Sequence, residues 1–250
     1  MTSGPLHLSV VIPAYEEAVR ITRTLDRVRA YLETQPYRSE VLVVVDGGRD
    51  RTRDLVRAAA ERWPALRLLD NGANRGKGYS VRRGMLDAAG RYLLFSDADL
   101  STPIEEVERL LAVLDAGADV AVGSRAAPGA DVRVRQAWWR QSMGRLFNRL
   151  VRLAALSRIR DTQCGFKCFR RDAARRIFAR QRITRFAFDV EVLWIAERLG
   201  YQIAEVPVVW VNDPASRVHP VLDSVRMVAD LARLRLAHLL GRYRRDRESD

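Results

Sequence analysis

Short β-branched runs alternate with stretches of helical period along the first half of the chain, and no other feature constrains the fold as much. The runs LSVVIP, EVLVVV, LRLLD, YLLFSD and VAVGSR are separated by helical patterns over 17–32, 50–63, 77–89 and 104–116. Strands that are apolar at nearly every position are buried on both faces, and when helices link them they pair in parallel. The expected class is therefore α/β, a mainly parallel central sheet flanked by helices. With 48% hydrophobic and 30% charged residues in 250, the chain can bury one substantial core and carries no disorder signature.

In such sheets ligands bind outside the carboxyl ends of the strands. Here those ends deliver Pro13, Tyr15 and Glu17 after the first run, Asp46 and Asp50 after the second, Lys77 among glycines after the third, and Asp97-Ala98-Asp99 after the fourth. Thr102, Pro103 and Glu105 read as an N-cap, a first-turn proline and a capping-box glutamate, which would start the next helix sharply and leave the acidic triplet at a strand end. Two carboxylates flanking one residue supply hard oxygen ligands for Mg²⁺ or Mn²⁺, with water and phosphate oxygens filling the remaining positions. Alone, the triplet reads as a strand end closed by a turn. One cleft that gathers all four loops favours the metal.

The second half begins with a Pro-, Gly- and Arg-rich loop over 126–135, followed by an amphipathic pattern with Trp139, Met143, Leu146, Leu150 and Ala154 on one stripe and Arg145, Arg149 and Arg152 on the other. A second basic amphipathic segment spans 221–243. Such helices suit either core packing or a membrane interface, and two of them favour a peripheral protein on the cytoplasmic face of a membrane. The expected division is one domain over 1–220, with halves 1–125 and 126–220, followed by a helix and basic tail over 221–250. The net charge of +12 is almost all arginine, with lysine only at Lys77 and Lys167. Cys164 and Cys168 lack the second pair or the histidines of a zinc site, so no disulfide framework or metal cage is implied. No secretory leader is read at the start of the sequence, and no run of about 18 apolar residues predicts a membrane-spanning helix.

In order, VIPAYEE, VVDGGRDRT, NRGKG, FSDADLSTP, GSR, DTQCGFKCFRR and FAFDVEVL resemble the motifs of a family 2 glycosyltransferase with a GT-A fold. Within that family the chain is similar to the branch that glucosylates dolichyl phosphate and its polyprenyl-phosphate relatives. The resemblance covers roughly residues 8–225. It implies that Pro13, Ala14, Tyr15, Glu17 and Asp46 hold the nucleoside side of a nucleotide sugar, with Lys77 near the phosphates. It implies likewise that Asp97, Ala98 and Asp99 hold metal, diphosphate and sugar. Where the family usually reads Asp-Asp-Gly-Ser, Val45 and Gly48 replace the first and last residues, while Asp46 matches the base-contacting position.

The same resemblance places Gln163, Lys167 and Glu191 on the acceptor side. Asp189 becomes the candidate base or acceptor-orienting carboxylate, against the simpler reading of an N-cap. Arg125 and Arg217 are the candidate cations for an acceptor phosphate, with Arg133 and Arg135 as further ones. The implied reaction is inverting transfer of a hexose, glucose from UDP-glucose, to a polyprenyl phosphate, with GDP-mannose as the alternative donor. Two other classes were weighed. A haloacid-dehalogenase-type phosphohydrolase would carry its Asp-x-Asp loop after the first strand rather than the fourth. Nucleic-acid binding, suggested by +12, lacks any recognisable module.

Overall fold

The computed structural model describes residues 4–133, 159–211, 229–230, 234 and 236. The amphipathic stretch beyond residue 135, Arg135 and Arg217 lie outside the described residues, as does nearly all of 221–250. Nine strands are described: β1 Leu8–Ala14, β2 Ser39–Val45, β3 Leu66–Asp70, β4 Tyr92–Ser96, β5 Val120–Ser124, β6 Asp131–Val132, β7 Phe166–Arg170, β8 Ile203–Pro207 and β9 Val209–Trp210. Among the helices, α1 covers Ile21–Glu33, α2 Thr52–Arg62, α3 Lys77–Asp87, α4 Val107–Asp115, α5 Arg171–Arg180 and α6 Phe188–Arg198. Among the described residues, no helix is long and apolar enough to cross a membrane.

The main sheet has the order β3-β2-β1-β4-β7-β5-β8. Every pairing is parallel except those of β7, which runs antiparallel between β4 and β5. A segment from the second half of the sequence thus sits inside the sheet of the first. Strand β1 is buried at all seven positions because it is covered on both faces. Val10 and Ile12 join one core with Leu25 and Val28 of α1 and Leu110 and Leu114 of α4. Val11 faces the other core, with Val81 and Met85 of α3, Ile177 and Phe178 of α5, and Phe188 of α6. Each such Val, Leu or Phe contributes about 1.5–3 kcal/mol by leaving water. The continuous apolar runs are the trace of this two-sided burial.

Register brings the loops together. Ala14 pairs with Val45, and Val45 with Asp70, so β1, β2 and β3 end level and release Tyr15, Asp46 and Asn71 side by side. Two local expectations change. The turn ahead of α4 is a 3₁₀ segment over Ile104–Glu106 without a side-chain cap. Thr102 is instead buried with its hydroxyl against Cys164 Sγ, so no capping box forms. Asp189 lies inside the first turn of α6, whose N-cap position is Ala187, so it is not an N-cap.

Candidate active site

Pro13 and Ala14 are the last residues of β1 and are buried in the sheet, directly before Tyr15. Tyr15 is 40% exposed at the cleft rim. The turn that follows is held from its neighbour: the Glu17 amide donates to Thr52 Oγ1 at 2.7 Å and the Ala18 amide to Asp50 Oδ2 at 3.0 Å. The Glu17 carboxylate pairs with Arg20.

Asp46 is buried, and both its oxygens are engaged within the protein. Oδ1 accepts from Asn71 Nδ2 at 2.7 Å and the Arg75 amide at 3.0 Å, and Oδ2 from the Gly76 amide at 2.8 Å. Its carboxylate therefore holds the NRGKG loop in shape. Gly76, at φ 99°, makes the turn into α3 with no room for a side chain, since a Cβ there would lie 2.3 Å from Thr184 O. This turn launches Lys77 as the first residue of α3.

The Lys77 ammonium lies 2.7 Å from Asp97 Oδ1. Burial pulls its pKa down, but Asp97, Asp189 and Asp99 outweigh that and hold it above the ordinary lysine value. Asp97 and Asp99 flank a tight turn: the Leu100 amide donates to Asp97 O, Leu100 itself has φ 48°, and Asp99 Oδ1 accepts the Ser101 amide at 2.9 Å. Ala98 O accepts the Thr24 hydroxyl, which anchors the turn to α1. Burial and then the neighbouring Asp97 charge raise the Asp99 pKa, a repulsion that a bound cation would relieve. Among the described residues no three His, Cys, Asp or Glu side chains group to hold a metal unaided. The carboxylates of Asp97 and Asp99 are hard oxygen donors, a set that suits an ion completed by phosphate oxygens and water.

Asp189, Lys167 and Phe95 are buried neighbours beside Lys77. Phe95 and Lys167 are register partners on β4 and β7 and so project to one face, the face that α6 covers. Lys167 is fully buried; its ammonium pairs with Asp189 and donates to Cys164 O at 2.7 Å. Lys77 and Lys167 lie 5.4 and 5.8 Å from the Phe95 ring centroid, a cation–π contact on each. Burial raises the Asp189 pKa, against the opposing pull of Lys167 and Lys77. Lys167 is thus the buried ion-pair partner of Asp189. Glu191 is fully buried, and its oxygens accept the Arg182 and Ile183 amides at 2.9 and 2.7 Å. It closes the 181–183 turn.

Arg125, at the end of β5, makes a bidentate pair with Asp161 at 2.7 and 2.8 Å, and its guanidinium lies over the Trp210 ring. Burial opposes the Asp161 charge, but Arg125 outweighs it and holds this carboxyl below its usual range. The Gln163 amide donates to Asp161 Oδ1 at 3.3 Å. Burial, then the Asp161 charge, pushes the Cys164 thiol up to about 11, so it is protonated at neutral pH and acts as packing. The Arg133 side chain is exposed and pairs with Asp131, while its amide donates to Trp210 O at 2.9 Å. Sequence reasoning passes over Asp161, Asn71 and Phe95. Asp161 stands in the quoted DTQCGFK run, but its partner is 36 residues away and no local pattern joins them.

Residues 9–178 match the family model for glycosyl transferase family 2. Over 255 residues the chain is 38% identical to dolichyl-phosphate beta-glucosyltransferase of Drosophila melanogaster, covering 97% of this chain and 78% of that protein. It is 36% identical to the Dictyostelium discoideum protein of the same name, with 94% and 76% covered. Among solved structures, mannosyl-3-phosphoglycerate synthase from Rubrobacter xylanophilus superposes with a TM-score of 0.68 at 18% identity, over 98% of this chain and 78% of that one. Glucosyl-3-phosphoglycerate synthase from Mycobacterium tuberculosis, in complex with Mn²⁺ and uridine-diphosphate-glucose, superposes at 0.63 with 19% identity, over 95% and 79%. These two share the GT-A fold. With its cleft at the carboxyl ends of β1 to β4 and its family motifs in order, the chain belongs to glycosyltransferase family 2.

Proposed function

We propose that the protein transfers glucose from UDP-glucose to a dolichyl or other polyprenyl phosphate with inversion at the anomeric carbon. The observation that carries this reading is the 36–38% identity to dolichyl-phosphate beta-glucosyltransferases over 94–97% of the chain. The cleft supports it chemically. Tyr15 at the rim and the loop tied down by Asp46 would receive the nucleoside, and Lys77 would meet the diphosphate. Asp97 and Asp99 would hold Mg²⁺ or Mn²⁺, which when bound supplies positive charge to a departing diphosphate.

In the transfer, a phosphate oxygen of the acceptor forms the new bond to the anomeric carbon as the bond to UDP breaks. A phosphate monoester is already ionised at neutral pH, so no general base is needed to take a proton. Asp189, held by Lys167, instead orients the sugar hydroxyls or the acceptor in line with the anomeric carbon. Arg125, held by Asp161, offers a fixed cation on the acceptor side of β5. A lipid acceptor calls for a peripheral enzyme at a membrane surface, in our reading the cytoplasmic one.

The test is to incubate the protein with polyprenyl-phosphate vesicles, Mg²⁺ or Mn²⁺, and a panel of labelled nucleotide sugars. Label from UDP-glucose should enter an organic-extractable, mild-acid-labile lipid, and EDTA should stop it. Label entering only from GDP-mannose would reassign the donor. Release of free sugar with no labelled lipid would remove the lipid acceptor.

A further inference from the structure

We infer that Lys77 is a latch on the acidic triplet: it neutralises Asp97 in the nucleotide-free protein, so that a divalent cation binds weakly alone and tightly only together with a nucleoside diphosphate. The inference rests on the proposed metal and nucleotide binding at Asp97 and Asp99.

Three observations carry it. First, the Lys77 ammonium lies 2.7 Å from Asp97 Oδ1, where it shares the carboxylate that a metal would need. Second, Asp97 is held against the loop before β7 on one side. Its amide donates to Gly165 O at 3.0 Å, and the carboxylate abuts the Gly165 backbone so closely that a Cβ there would lie 2.0 Å from Oδ2. Third, the local charges are nearly balanced. Asp97, Asp99 and Asp189 all act on Lys77, and Lys167 pairs with Asp189, so three carboxylates and two ammonium groups leave one net negative charge. A dication entering alone reverses that balance to +1 and stands beside the Lys77 ammonium. A dication entering with the two negative charges of a nucleotide-sugar diphosphate restores −1. Lys77 then only exchanges one anionic partner, Asp97, for another, a phosphate oxygen.

Coupling of this kind is reciprocal: whatever the diphosphate does for metal affinity, the metal does for diphosphate affinity. The protein would therefore load metal mainly together with its donor.

The test is Mn²⁺ binding followed by electron paramagnetic resonance of the free ion, with and without UDP, and corrected for Mn²⁺ held by UDP in solution. In the unmodified protein, UDP should tighten Mn²⁺ binding by roughly tenfold or more. Lys77→Met should bind Mn²⁺ alone roughly tenfold more tightly than the parent, with the UDP enhancement reduced. Lys77→Arg, which keeps the cation, should behave like the parent, and Lys77→Met/Asp97→Asn should lose the gain. Lys77→Gln serves the same purpose if the Met variant is poorly folded by circular dichroism. Equal nucleotide-free affinity in the parent and the neutral variants overturns the latch, while Mn²⁺ binding with UDP still sustains the metal site. Absence of Mn²⁺ binding with UDP in every variant overturns both.

Discussion

Gly165 and the Asp97 carboxylate are in direct contact: a methyl group on Gly165 would lie 2.0 Å from Oδ2 and 2.4 Å from Cγ of Asp97. This contact joins the loop before β7, from the second half of the chain, to the acidic turn after β4. Gly165→Ala must push the carboxylate off its position. The expected result is loss of transfer on the order of 10²-fold, as for an ångström-scale misplacement of a catalytic group, with a much smaller effect on the melting temperature. Activity near that of the parent, with Mn²⁺–UDP affinity unchanged, would show that Asp97 has no fixed position to lose.

Lys167 and Asp189 form a buried ion pair, and removing one partner leaves the other as an uncompensated charge. Lys167→Met should cost about 3–5 kcal/mol of stability at neutral pH. Burial sets the folded pKa of Asp189 above its unfolded value. The carboxyl therefore favours folding fully below the unfolded pKa, and that contribution is lost as pH rises through the folded pKa. The deficit of Lys167→Met should accordingly shrink on acidification. For activity the ionised form is required, so the acid limb of kcat/KM should stand above the ordinary carboxylate range. It should move further up in Lys167→Met, a shift that Asp189→Asn should remove. An acid limb at the same pH in Lys167→Met and parent would separate Lys167 from the chemistry.

Arg125 and Asp161 predict the opposite pH behaviour. The folded pKa of Asp161 lies below its unfolded value because of Arg125, so this pair stabilises above the unfolded pKa and the contribution is lost as pH falls through the folded one. Arg125→Met should cost about 3 kcal/mol near neutrality, and much of that cost should vanish in Arg125→Met/Asp161→Asn, which no longer buries a lone charge. Chemical denaturation at pH 7 and at pH 3 measures both. A double variant as unstable as the single one would mean that Trp210 stacking or packing, not charge, gives Arg125 its role.

The sheet was legible in the sequence wherever burial leaves a pattern. Runs such as EVLVVV read as central strands because both faces are covered, and the loops at their carboxyl ends could be assigned to one cleft before any coordinates. The direction of β7 was not legible. FKCFR is a buried run that pairs equally well either way by composition, and its partners β4 and β5 come from distant segments. The same distance hides the Arg125–Asp161 pair. Glu191 and Asp46 fail to read for another reason: their partners are backbone amides, of Arg182 and Ile183 for one and of Arg75 and Gly76 for the other. Residue type does not reveal which amides a loop will turn toward a carboxylate. Lys167 reads as a cation available to substrate because nothing local marks it as the interior member of an ion pair.

Asp46 allows a direct separation of two roles. Its carboxylate is engaged by Asn71, Arg75 and Gly76, so the structure assigns it to shaping the loop that carries Lys77, whereas the family resemblance makes it a nucleoside contact. Asp46→Ala strips the Arg75 and Gly76 amides of their acceptor and so loosens the loop. The expected outcome is a rise of roughly tenfold in the KM for UDP-glucose, because Lys77 is no longer held toward the diphosphate. Amide hydrogen exchange across residues 72–78 should rise in the UDP-free protein as well. Weakened UDP binding with unchanged exchange in that loop would instead favour direct contact with the base, since only a loop-shaping carboxylate alters the loop before the nucleotide arrives.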